Sequence, residues 1–210
     1  MMTPEKKAAL ILAGIAASEG TWIYFNIAGG RAMRFWQYTG FLNPDQAGLL
    51  GWCLALVVAA LFTWRAAQLP SVRENLLRPS LLKLLALLVA IASGFCEEAI
   101  FRKWVMDALQ TRSFPAVVQI LASALSFGLV HGIWGLFRGS WRASIGAVAA
   151  TGILGFALAV VYVASHRVIA PCIVSHFLIN LLIEPGLVLA AVRGEMGSRK
   201  PGAVQSQIPG

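Results

Sequence analysis

Three short stretches of this chain carry ionisable and amide side chains where the surrounding sequence is apolar. Phe95-Cys96-Glu97-Glu98-Ala99-Ile100-Phe101-Arg102 holds two acids and a base, Phe127 precedes His131 by four residues, and His176 precedes Asn180 by four. Glu19 and Glu184 stand in apolar runs as well. Such groups are costly in hydrocarbon, so each is a candidate for function. A carboxylate in a low-dielectric cavity can serve as a general base, nearby imidazoles moderate its basicity, and amide or imidazole donors stabilise charge that develops on a carbonyl. The same groups can instead form the proton relay of a transporter, and Glu97, His131 and His176 can make a three-ligand zinc site.

Spacing narrows what these groups can do. On a helix, residues four apart share a face. Glu98 and Arg102 can therefore pair within their own helix, while Glu97, turned about 100° away, is free to point into a bundle. His176 and Asn180 lie on one stripe that Glu184 continues, although Pro185 predicts that the helix bends or ends there. Counted from the loops on one membrane side, Glu97, His131 and His176 fall within about two helical turns of one another. Three antiparallel helices can thus bring them to one cavity near mid-membrane.

The elements that must position them are membrane helices. Of the 210 residues, 58% are hydrophobic and 12% charged, and the mean hydropathy of +0.73 lies outside the soluble range. Six apolar stretches, near residues 8–29, 47–64, 80–108, 115–136, 143–165 and 168–191, each supply the roughly 20 residues that cross a hydrocarbon core. Because helices satisfy their own backbone groups, the expected fold is all-α, a polytopic membrane helical bundle of about six transmembrane helices. Residues 1–193 read as a single transmembrane domain with a motif-bearing core at about 80–190, and residues 194–210 as a disordered tail. The first stretch follows Lys6 and Lys7 and lacks a clean cleavage site, so it reads as a retained helix.

The net charge of +8 does not point to nucleic acid, because the basic residues sit between apolar spans, where topology and anionic lipid account for them. Six spans place 11 of the 17 Lys and Arg residues on the side of the termini, which predicts both termini in the cytoplasm, and the overall composition reads as that of an integral protein of a bacterial inner membrane. Cys53, Cys96 and Cys172 are scattered in apolar spans and read as small buried hydrophobes. Phe35, Trp36, Tyr38 and Phe41 suit an interfacial segment, as do Trp134, Phe137 and Trp141. Arg65 to Pro79 reads as a loop with one surface helical turn. Gly146-xxx-Ala150 and Thr151-xxx-Gly155 offer close helix contacts in an otherwise featureless fifth span, a scaffold.

The order EExxxR, FxxxH, HxxxN resembles the CAAX protease and bacteriocin-processing family of intramembrane glutamic endopeptidases, which includes the type II CAAX prenyl endopeptidase. All three motifs are intact here, as Glu97-Glu98-xxx-Arg102, Phe127-xxx-His131 and His176-xxx-Asn180. The resemblance covers roughly residues 80–190. It implies Glu97 as the base that activates water, His131 helping to hold that water, and His176 with Asn180 stabilising the oxyanion. Glu98, Arg102 and Phe127 then take supporting roles, the first two as a buried ion pair that fixes the third span and the last as packing against His131.

The resemblance also implies a membrane-associated peptide or protein substrate, with prenylated C-terminal peptides, bacteriocin leaders and anchored sorting signals all compatible. No cofactor and no catalytic metal are expected: HExxH is missing, and Asn180 suits an oxyanion better than zinc. A catalytically silent member that acts as a membrane scaffold or regulator is the alternative, set against the cost of keeping Glu97, His131, His176 and Asn180 in the membrane. Glu19 lies outside the motifs and reads equally as a polar contact or a lining of the cavity. Neither the oligomeric state nor the role of Glu184 follows from the sequence.

Overall fold

The computed structural model describes residues 2–133 and 141–195, apart from the side chains of residues 142 and 143, and every described element is helical. Helix α1 (Pro4–Ile27) starts at Thr3, whose hydroxyl accepts from the Lys6 N–H, with Pro4 in the first turn. The short α2 (Ala32–Thr39) closes on Gly40, whose φ of 83° favours glycine. Helix α3 (Gly48–Ala66) and the brief α4 (Pro70–Asn75) lead to α5 (Leu81–Glu98). Ser80 caps α5 by accepting from the Lys83 N–H. The chain runs on as a π-helix, Ala99–Met106, into α6 (Asp107–Gln110), then α7 (Ala116–His131), α8 (Trp141–Ala164) and α9 (Ala170–Val192).

Among the described residues, five helical segments are long and apolar enough to cross a membrane: Pro4–Ile27, Ala32–Ala66, Leu81–Gln110, Ser144–Ala164 and Ala170–Val192. Their apolar residues do not segregate to one face. Leu49, Leu56, Leu61, Leu84, Leu125 and Ile153 are exposed, which suits a surface bathed in lipid. The sixth apolar helix, α7, is shorter, with 16 residues. At 1.5 Å per residue it covers about 24 Å, less than a full hydrocarbon core. Its last residue is His131, so the chain leaves the helix at a motif residue.

Helix α5 is central, packed on α1 at one side and α9 at the other, while α7 pairs with α8 and α3 bridges α8 and α9. The α7–α8 contact depends on missing side chains. A Cβ on Gly128 would lie 2.7 Å from the Val148 carbonyl oxygen, and one on Gly155 would lie 3.0 Å from the Phe127 Cβ. Of the expected small-residue positions in this span, Gly155 makes the contact, whereas Gly146 faces open space.

Three expectations change with the packing. The Arg65 to Pro79 connection carries α4, but its turn is tucked in: Ser71 and Val72 are buried, and Gly186 of α9 sits so close that any Cβ there would overlap Val72. Helix α9 does not stop at Pro185 but continues to Val192. Proline lacks the N–H that would reach the Leu181 carbonyl four residues earlier. The Lys83 ammonium takes that place, donating to Leu181 O at 2.7 Å and to Leu76 O at 2.8 Å. A lysine in a membrane helix is thereby used up on backbone carbonyls. The expected interfacial aromatics are also partly interior, since Phe35, Trp36 and Phe41 all stack on Phe95, two residues before Glu97.

Of the expected tail, residues 196–210 lie outside the described residues, as do Trp134 and Phe137. Glu195 is held, its N–H donating to Ala190 O and its carboxylate accepting from the Ser71 hydroxyl.

Candidate active site

Glu97 and Glu98 end α5, His131 ends α7, and His176 and Asn180 sit one turn apart in α9. Because α5 packs along α9 and its π-helical extension packs on α7, the three motifs meet. Glu97 Oε2 lies 3.7 Å from His131 Nε2 and 3.8 Å from His176 Nε2. Both separations exceed a direct hydrogen bond and suit a small polar molecule shared among the three groups. The Glu97 side chain keeps 17% of its surface and His131 18%, against 3% for His176, so the cluster is open on the Glu97 and His131 side.

The other nitrogen of each histidine is occupied. His131 Nδ1 is 2.7 Å from the Phe127 carbonyl oxygen, which can only accept, so Nδ1 carries the hydrogen and Nε2 faces Glu97. His176 Nδ1 is 2.8 Å from Glu98 Oε1. Glu98 is thus shared. Its second oxygen lies 2.9 Å from Arg102 Nε, four residues on, and both side chains are fully buried. The pairing of Glu98 with Arg102 follows the helical spacing, while its contact with His176 links that pair to the histidine.

Phe127 is the wall of this arrangement. Its ring lies 4.6 Å from that of His131 and 5.8 Å from that of His176, and the Arg102 guanidinium stacks over it at 4.9 Å. Gly155 of α8 admits the ring, and its carbonyl accepts from Arg102 Nη2 at 3.5 Å. The fifth apolar span thereby supports two of the motif side chains.

Asn180 stands one turn from His176 and donates from Nδ2 to Ser93 Oγ at 2.8 Å. The Ser93 hydroxyl spends its own hydrogen on Val89 O, which fixes it as the acceptor and fixes the orientation of the amide. The second Nδ2 hydrogen remains for another partner. Ser93 precedes Glu97 by four residues on α5, a spacing that the sequence displays but that has no meaning until α9 is laid beside it.

The structure brings together further groups that the motifs do not include. Glu19 of α1 comes within hydrogen-bonding reach of Glu97, and Glu184 of α9 lies near enough to feel its charge. At the other end of the α5 extension, Asp107 accepts from Tyr162 and Arg167, and Arg167 also donates to Gln119, tying α6, α7, α8 and the α8–α9 turn. That turn holds His166 and Arg167 at positive φ. Among the described residues, no group of three or more His, Cys, Asp or Glu side chains is arranged to hold a metal ion.

Residues 79–182 match the family described as Rce1-like: Type II CAAX prenyl endopeptidase Rce1-like. This motif-bearing segment belongs to that family. Neither a curated protein nor a solved structure matches the chain. The match spans all three motifs, from just before α5 to the middle of α9. The five long apolar helices among the described residues make the chain an integral membrane protein, and the match over residues 79–182 supports an intramembrane CAAX protease function in general, in a bilayer setting and on a membrane-associated substrate.

Proposed function

We propose that this protein hydrolyses a peptide bond of a membrane-associated protein by a water that Glu97 activates, without a metal. The observation that carries the reading is the convergence of Glu97 Oε2 on the Nε2 atoms of His131 and His176, each ring being fixed through its Nδ1. A water among these groups gives a proton to Glu97 while His131 Nε2 accepts its other hydrogen, and its oxygen attacks the carbonyl carbon. His176, its Nδ1 fixed by Glu98, and the free Asn180 amide hydrogen stabilise the oxyanion. Glu97 then passes its proton to the leaving nitrogen as the carbon–nitrogen bond breaks. Glu98 and Arg102 hold His176 in place rather than react.

The surplus of basic residues on one side supports both termini lying in the cytoplasm. The test is Glu97→Gln, which keeps the shape and removes the base. Purified in detergent with thermal unfolding equal to the parent, it should bind a membrane-anchored peptide yet cleave it at least about 10²-fold more slowly by mass spectrometry. Near-parental cleavage removes Glu97 from the role. Absence of cleavage by the parent, across prenylated, leader-peptide and sorting-signal substrates, favours the scaffold instead.

A further inference from the structure

Two further carboxyl groups lie within electrostatic range of the one that the proposed mechanism uses. Glu19 is on α1, Glu97 on α5 and Glu184 on α9, three helices that all pack against one another. Glu19 comes within hydrogen-bonding reach of Glu97, and Glu184 interacts with both. Each of the three has an Oε2 that is buried and receives no hydrogen bond. The surrounding cations do not resolve this. Arg102 is committed to Glu98, Lys83 to the carbonyls of Leu76 and Leu181, and the two histidines face Glu97 and not the other acids. Cys96, the other titratable neighbour, feels both Glu19 and Glu97 and brings no positive charge.

Neighbouring carboxyl groups whose buried oxygens find no cation share protons rather than carry separate charges. A proton on Glu19 also supplies what the buried oxygens lack, an O–H donor pointed at a carboxylate. We propose that Glu19 and Glu184 are held as neutral acids and that Glu19 donates its O–H to Glu97, which makes Glu19 a positioning residue for the water-activating carboxylate. The cluster then bears one negative charge, on Glu97, and neither added proton is consumed: water's proton travels to Glu97 and on to the leaving nitrogen. Both residues lie outside the segment 79–182 that carries the family match, so α1 becomes a working part of the site. This inference rests on the proposed function.

The experiment has an infrared arm and a kinetic arm. In the protein reconstituted in lipid with carboxyl-labelled glutamate, the carbonyl stretch of protonated carboxyl groups should be present and should lose intensity in Glu19→Gln and in Glu184→Gln. Either variant carries this readout if the other fails to fold. In cleavage assays Glu19→Leu should lower kcat by roughly 10–100-fold with KM unchanged, the usual weight of a group that orients a reacting one. Glu19→Gln, which keeps an N–H donor toward Glu97, should recover part of that loss. Unchanged carboxyl bands in the Gln variants, with Glu97→Gln still inactive, overturn this inference and leave the function standing. Cleavage by Glu97→Gln overturns the function and, with it, the positioning role.

Discussion

Removing the Arg102 guanidinium tests the buried charge network most directly. Glu98 is fully buried and, among the described residues, pairs with two groups alone, Arg102 Nε at 2.9 Å and His176 Nδ1 at 2.8 Å. Arg102→Met keeps an apolar stem of similar length and leaves the carboxylate with only the histidine. Stranding one partner of a buried pair costs about 3–5 kcal/mol. The lost stacking of the guanidinium on Phe127 adds about 0.5–2 kcal/mol, so the ion pair decides the outcome.

For a chain of this size, 3–5 kcal/mol corresponds to a fall in Tm of roughly 6–20 °C. The assay is thermal unfolding in detergent of the parent, Arg102→Met and the double variant Arg102→Met with Glu98→Leu. The double variant should regain most of the lost stability, because apolar residues of similar volume replace a buried pair at little cost. Cleavage should not return with it, since His176 Nδ1 has lost its acceptor. A single variant that unfolds within about 2 °C of the parent would refute the claim that Glu98 depends on Arg102.

Three further outcomes follow from other contacts. Asn180→Ala should lower kcat by about 10²–10³ with KM little changed, since an oxyanion donor acts mainly in the transition state; unchanged turnover removes Asn180 from the site. Lys83→Met should destabilise by about 1–3 kcal/mol, the cost of a carbonyl left without a donor, and Pro185→Ala in that background should recover part of it by restoring the N–H to Leu181 O. Equal unfolding of all three proteins would dismiss the ammonium as a substitute donor. Gly128→Ala should cost about 1–3 kcal/mol through a contact with Val148 O that has no room to relax, and cleavage should fall with it because α7 carries His131.

Local periodicity made much of this protein legible in its sequence. The apolar runs determined the helices and their membrane setting, because only a helix satisfies its backbone in hydrocarbon. Helical spacing alone paired Glu98 with Arg102 and put His176 and Asn180 on one stripe. Spacing says which side chains share a face, however, and not which faces meet. That His176 takes Glu98 as its acceptor across 78 residues, and that Asn180 finds Ser93 across 87, depends on α5 and α9 lying side by side. Glu19 remained ambiguous in the sequence for the same reason, since its neighbours come from α5 and α9.

Pro185 shows the limit most clearly. In isolation it predicts an end or a bend, because it removes a donor from its own helix. The missing donor comes from Lys83, 98 residues from Leu181, and α9 runs on past Glu184. The sequence determined which groups the membrane would have to tolerate. Only tertiary packing decided how several of them satisfy one another, because His176, Asn180 and Lys83 find their partners on a different helix.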